Sequence, residues 1–140
     1  MTVRVYVPRD SAARSVGADE VASGIKAAWP EVELVRNGSR GALWLEPLVE
    51  VETPEGRVAY GPVAAADVGG LMDAGLLTGG EHPLRLGRTD DLDWLSSQRR
   101  VTFARVGVTD PLSSEDYLAD RKSTRLNSSH PSISRMPSSA

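Results

Sequence analysis

Between Val3 and Val35 the chain is patterned so that few folds accommodate it. Val3, Val5 and Val7 alternate with Arg4 and Tyr6, and a period of two with β-branched residues suits a strand. Pro8 ends that strand. Ser11 to Gly17 is small and polar and reads as a loop. A helix capped by Asp19 then runs to about Trp29, with Val21, Ala22, Ile25, Ala28 and Trp29 on one face. Pro30 stops it, and Val32-Glu33-Leu34-Val35 reads as a second strand. A crossover of this length forbids a hairpin, so the two strands must pair in parallel. Such strand–helix–strand units are right-handed in nearly all cases.

The next stretch is antiparallel in character. A Gly-punctuated loop, Asn37 to Gly41, leads into an apolar run. Leu48 to Glu52 and Arg57 to Tyr60 read as a hairpin around the Thr53-Pro54-Glu55-Gly56 turn. Gly61-Pro62 opens a helix from Val63 to Leu77, with Val68, Leu71, Met72 and Leu76 on its buried face. Gly69-Gly70 weakens that helix by about 1 kcal/mol per glycine relative to alanine, and Thr78-Gly79-Gly80 terminates it.

Beyond Gly80 the pattern changes. Leu84 to Gly87 reads as a linker. Asp91 to Gln98 reads as a short helix with Leu92 and Leu95 inward. Val101 to Val108 alternates weakly, like a strand in need of a partner. Ser113 caps a further helix, with Asp116 reaching back as in a capping box.

Composition bounds the function. The chain has 140 residues, enough for one domain plus an extension, since domains centre on roughly 100–150 residues. Its 40 % apolar content supports a folded core. No apolar run approaches the roughly 20 residues of a membrane span, and no charged-then-apolar leader precedes Val3. There is no cysteine, which excludes disulfides and thiolate metal sites. The formal charge is −3; from Asp120 onward one acid stands against four bases (Arg121, Lys122, Arg125, Arg135), so the rest carries −6. An acidic body argues against nucleic-acid binding.

The stretch from Val35 to Val63 resembles the second half of the thioredoxin-like [2Fe–2S] ferredoxin domain of NADH-oxidising complexes. In that family a G-C-L-G-A-C turn precedes an apolar-Pro strand, a hairpin, and G-P-V opening a helix. Here Gly38-Ser39-Arg40-Gly41-Ala42-Leu43 is in register with the turn. Ser39 and Leu43 stand where the family has its second pair of cysteines. The first pair, C-x4-C, falls on Pro8 and Ala13, with Gly17 matching a family glycine. Iron–sulfur clusters are held by thiolates, and Pro, Ala and Leu offer no ligand atom. The resemblance implies a kept scaffold and a lost cluster.

One group of that description is the β subunit of soluble NAD-dependent formate dehydrogenases. In it a cluster-free thioredoxin-like domain precedes a flavoprotein similar to the NADH-binding subunit of respiratory complex I. His82-Pro83-Leu84-Arg85-Leu86-Gly87 resembles its linker. Phe103-Ala104-Arg105-Val106-Gly107-Val108-Thr109-Asp110-Pro111-Leu112-Ser113 and Asp116-Tyr117 resemble the start of the flavoprotein domain. The resemblance runs from Thr2 to about Ala119. It implies an α/β (α+β) fold with a four-stranded mixed sheet of order 2-1-3-4, helices Asp19–Trp29 and Val63–Leu77 covering it through Val21, Ile25, Val68 and Leu71. It divides the chain into a thioredoxin-like domain (1–80), a linker with the start of a truncated flavoprotein domain (81–119), and a tail (120–140). Residues beyond Leu84 are then expected to be poorly packed, with Phe103 and Tyr117 exposed.

The tail DRKSTRLNSSHPSISRMPSSA resembles no protein family. It resembles one reading frame of a common short-read sequencing adapter, DRKSTRLNSSH matching one fixed part and SRMPSSA another. An open reading frame that ran off a DNA fragment accounts for it. On this reading residues 120–140 are non-native and disordered, and Arg121 and Lys122 are no binding patch.

The candidate sites are weak. Asn37-Gly38-Ser39-Arg40-Gly41 has the glycines to cradle an anion with backbone N–H groups, but it lacks the lysine and spacing of a phosphate-binding P-loop; a relic cluster loop is the better reading. His82 has no histidine, cysteine or paired acid at ligand spacing. Ser11 and Ser39 have no base at motif spacing. Glu46, Glu50 and Glu52 read as a solvated strand face. Trp29 and Trp44 read as core or interface anchors, with Trp44 placed to face a neighbouring subunit. No residue is assigned a catalytic, cofactor-binding or metal-binding role.

Two functional readings follow. One is an inactive amino-terminal fragment of a cytoplasmic electron-transfer subunit. Its intact form would carry FMN, NAD and [4Fe–4S] sites beyond Tyr117 and would work with other formate dehydrogenase subunits. The other is a stand-alone thioredoxin-like interaction module.

Overall fold

Strand β1 (Arg4–Tyr6) lies inside the sheet, as the crossover pattern requires, in a computed structural model that describes residues 2–119. On one side it pairs in parallel with β2 (Glu33–Val35), Val5 facing Leu34. On the other it pairs antiparallel with β3 (Val49–Thr53), Val5 facing Val51. Strand β4 (Gly56–Tyr60) completes the hairpin, with Val51 opposite Val58. The expected order 2-1-3-4 is present, and the described residues extend it to β2-β1-β3-β4-β5.

The fifth strand corrects the sequence reading. Leu84 to Gly87 is not a linker; β5 (Arg85–Arg88) pairs antiparallel with β4 through Val58, Ala59 and Tyr60. Without it β4 would leave a row of unpaired backbone groups at the edge. Sequence reasoning missed it because the strand is short and half-exposed, with no apolar alternation to mark it.

One face of the sheet is apolar. Val5, Val7, Val49, Val51, Val58 and Tyr60 are buried there against Val21, Ile25, Val68 and Leu71. Each fully buried side chain of this kind contributes about 1.5–3 kcal/mol. The helices that supply the covering layer differ in detail from expectation. Ser11 to Gly17 is not a loop: helix α1 spans Ser11–Ser15, and Gly17 leads directly into α2 (Ala18–Ala28). Asp19 does not cap α2. It lies in the first turn, where its carboxylate accepts from Arg36 at 2.6 Å and from Arg14 at 2.9 Å.

The helix expected from Val63 to Leu77 is broken into three. A 3-10 turn (Ala65–Asp67), helix α3 (Val68–Asp73) and a second 3-10 turn (Leu76–Thr78) follow one another. The break is at Gly75, whose φ of 81° is left-handed and open chiefly to glycine. Val68, Leu71 and Leu76 nevertheless reach the core, as the periodicity implied.

The extension is only partly loose. A 3-10 turn (Thr89–Asp91) leads to helix α4 (Asp93–Ser96), with Leu92 and Leu95 half-buried. Residues 101–109 form turns rather than the strand their weak alternation suggested. Val101, Phe103 and Tyr117 are exposed by 78 %, 64 % and 49 %. A helical turn follows at 114–119. Ser113 caps it, its Oγ accepting the Asp116 N–H at 3.1 Å, but the Asp116 carboxylate takes the Asp110 N–H at 2.9 Å, so the box does not close on Ser113. Trp29 is not a core residue, being 45 % exposed at the end of α2. The reading of residues 120–140 lies outside the described residues.

Candidate functional site

The loops after β1 and after β2 sit side by side. The Arg9 N–H donates to the Asn37 carbonyl at 2.9 Å, and the Ser39 N–H donates to Asp10 Oδ1 at 3.0 Å. These loops hold Pro8, Ser39 and Leu43, and Ala13 lies just beyond the first of them, in α1. Pro8 and Ala13 are buried, Ser39 is half-buried, and Leu43 opens an exposed 3-10 turn. Of the four, only Ser39 has a heteroatom in its side chain, and that atom is engaged. Its Oγ donates to Glu46 Oε1 at 2.7 Å and accepts the Gly41 N–H at 3.1 Å. Among the described residues no group of three or more His, Cys, Asp or Glu is placed to hold a metal ion.

The same bonds take up two of the N–H groups that an anion cradle would use. An anion nest needs free N–H groups, yet those of Ser39 and Gly41 already have acceptors. The Arg40 side chain points away from the loop into the protein and is 9 % exposed. His82 is a turn residue: its Nδ1 accepts the Leu84 N–H at 3.2 Å. Ser11 is exposed at the start of α1.

The loop's charged residues converge on the second face of the sheet. Strand alternation puts Tyr6, Glu50, Glu52 and Arg57 there, opposite the apolar face. The expectation that Glu46, Glu50 and Glu52 line a solvated face holds only for Glu52, whose carboxylate accepts the Tyr6 hydroxyl at 3.1 Å. Glu50 is 1 % exposed and Glu46 6 %. Glu50 is gripped by Arg40 through two bonds, Nε to Oε2 at 3.1 Å and Nη2 to Oε1 at 3.0 Å. Two-point pairing is the geometry in which a buried carboxylate–guanidinium contact is strongest.

Residues 100–109 lie over this face. Asn37 Nδ2 donates to the Gly107 carbonyl at 2.7 Å. Arg57 donates to the carbonyls of Gly107 at 3.0 Å and Val108 at 2.7 Å. Its guanidinium also lies 3.5 Å from the Tyr6 ring centre, a cation–π contact, and 4.0 Å from Glu50. Arg100 donates to the Arg40 carbonyl at 3.4 Å.

Burial shapes the titration of two groups of this site. Desolvation pushes the Glu46 carboxyl above its ordinary value, against the Ser39 hydroxyl and Leu48 N–H, which favour the charged form. Burial likewise raises the Tyr6 phenol, with Arg57 opposing. Two groups outside this network stack in the open: Trp44, 59 % exposed, meets Trp94 edge-on at 5.1 Å.

Sequence reasoning singled out Asn37, Arg40, Glu46 and Glu50 for other roles, and missed Arg57 and Gly107 as partners of the network. One signal was available for Arg57. It faces Glu52 across a hairpin, and opposite charges so placed attract. Nothing local marked the long-range partner Gly107.

No protein-family model and no curated protein sequence matches the chain. Solved structures do. A thioredoxin-like [2Fe-2S] ferredoxin from Aquifex aeolicus is similar over 63 % of this chain and 93 % of its own, with a TM-score of 0.53 and 21 % identity. A cysteine-to-serine variant of that ferredoxin is similar over 61 % of this chain and 99 % of its own, with a TM-score of 0.51 and 24 % identity. Likeness at such identity speaks for the fold: the chain has the thioredoxin-like architecture, a mixed sheet with helices packed on one face.

Proposed function

We propose that this chain is the amino-terminal part of an NAD-linked electron-transfer subunit, of the formate dehydrogenase β type, in which the ferredoxin scaffold serves structure rather than redox chemistry. The observation that carries the reading is the pair of loops. On the sequence resemblance they correspond to the cluster-binding loops of the ferredoxin domain, and they hold Pro8, Ser39 and Leu43, with Ala13 just beyond in α1. A [2Fe–2S] centre does not fit these residues, because three have no donor atom and Ser39 is bonded to Glu46 and Gly41. What joins the loops is a pair of hydrogen bonds, from the Arg9 N–H to the Asn37 carbonyl and from the Ser39 N–H to Asp10, while Ser39 is tied to Glu46 within its own loop.

In this reading the domain positions and assembles, and electron transfer belongs to a following flavoprotein domain with its FMN, NAD and [4Fe–4S] sites. The intact subunit would pass electrons from formate oxidation in a partner subunit to NAD⁺. The resemblance of residues 103–117 to the start of that domain supports this. The test is to read the source transcript past the codon for Ala119. An in-frame continuation with a Gly-rich nucleotide-binding loop and cluster cysteines is expected. A stop codon at that point would contradict the proposal and favour a stand-alone interaction module.

A further inference from the structure

We propose that the polar face of the sheet is a docking site for a glycine-containing peptide segment, and that residues 100–109 occupy it as a releasable latch. This does not depend on the function proposed above.

Three observations define the site. First, it recognises backbone. Arg57 spans two consecutive carbonyls, those of Gly107 and Val108, and Asn37 adds a buried donor to the first. Arg57 is itself held in place, stacked on Tyr6 and near Glu50. Second, it selects glycine. Gly107 has a φ of 83°, which side chains disfavour, and a Cβ there would collide with the Arg40 stem. Arg40 cannot yield freely, because both its bonds to Glu50 fix it. Third, the segment is held at points rather than by burial. It joins no strand, and Val101, Phe103, Val106 and Val108 are exposed by 78 %, 64 %, 36 % and 39 %. A segment that buries little apolar surface opens at lower cost than the core beneath it.

Release of the latch uncovers the donors of Asn37 and Arg57 beside the Arg40–Glu50 pair. Water then accepts from these donors, and a peptide presenting the same Gly-carbonyl geometry displaces it. The site is thus closed in cis and open to a like segment in trans.

Hydrogen exchange on the full chain tests this. In Gly107→Ala, amides of residues 101–109 should exchange roughly tenfold faster or more, while those of β1, β3 and β4 keep their protection. Arg57→Gln leaves the Gly107 backbone free of strain, so it decides the matter where Gly107→Ala fails to fold, and the same selective loosening is expected. Unchanged exchange over 101–109, or acceleration of β1, β3 and β4 in step with it, would overturn the latch. A synthetic peptide of residues 100–112 should bind the Gly107→Ala chain, and the same peptide carrying Gly107→Ala should not. Equal binding, or none by either peptide, would overturn the docking site.

Discussion

The two faces of the sheet are held by different physics. Under the helices, Val5, Val51, Val58, Ile25 and Leu71 exclude water with no preferred direction of contact. Under residues 100–109, Tyr6, Asn37, Arg40, Glu50 and Arg57 bond in specific directions to one another and to two carbonyls. The first face tolerates change in proportion to the volume lost. The second is brittle, since removing one member strands a buried charge or donor. A small domain that uses both gains bulk stability from one and a fixed register for its loops from the other.

The largest expected effect comes from breaking the polar face. Glu50→Ala leaves Arg40 buried without its partner and should cost about 3–5 kcal/mol. Removing both charges together, as Arg40→Met with Glu50→Leu, should recover most of that loss. On the apolar face, Leu71→Ala should cost about 2–5 kcal/mol by the lost transfer energy and the cavity left. Urea denaturation of the four proteins checks the contrast. If the double variant is as unstable as Glu50→Ala, the penalty is not that of a stranded charge.

A smaller effect sharpens the comparison by pH. Burial raises the Glu46 carboxyl in the folded state above its unfolded value. The folded state therefore binds this proton more readily, and Glu46 contributes better at low pH than at neutral pH. As pH falls from neutral through the carboxylate range, near 4–5, wild type should gain stability relative to Glu46→Gln. Parallel melting-temperature profiles for the two would contradict this. The smallest effect is outside both faces. Trp94→Ala removes an exposed edge-on contact with Trp44 and should cost about 0.5–1.5 kcal/mol beyond the area it buries, with exchange over β1 and β3 unaffected.

These faces were not equally legible in the sequence. Alternation of Val3, Val5 and Val7, the Val21–Ile25 helix face and the Pro-Glu-Gly turn fix strand order and core, because apolar periodicity reports burial directly. Glu50 misled for the same reason: a charged residue on an alternating strand reads as solvated. Its partners Arg40 and Asn37 come from the loop after β2 and are not signalled by the strand's own pattern. Strand β5 was hidden by its lack of alternation, and the break at Gly75 by a periodicity that continues across it. The proposed relic site rests on residue identity alone. No conformation gives Pro8, Ala13 or Leu43 a ligand atom.

That claim, a ferredoxin-like scaffold without its cluster, has a direct measurement. The chain is incubated anaerobically with ferrous iron and sulfide, desalted, and examined for bound iron and for the visible absorption of a [2Fe–2S] centre. The variant with Pro8→Cys, Ala13→Cys, Ser39→Cys and Leu43→Cys is treated alongside. The account predicts no stoichiometric iron and no cluster bands in the unmodified chain, and cluster uptake once four thiolates are restored. Stoichiometric iron with cluster absorption in the unmodified chain would contradict it.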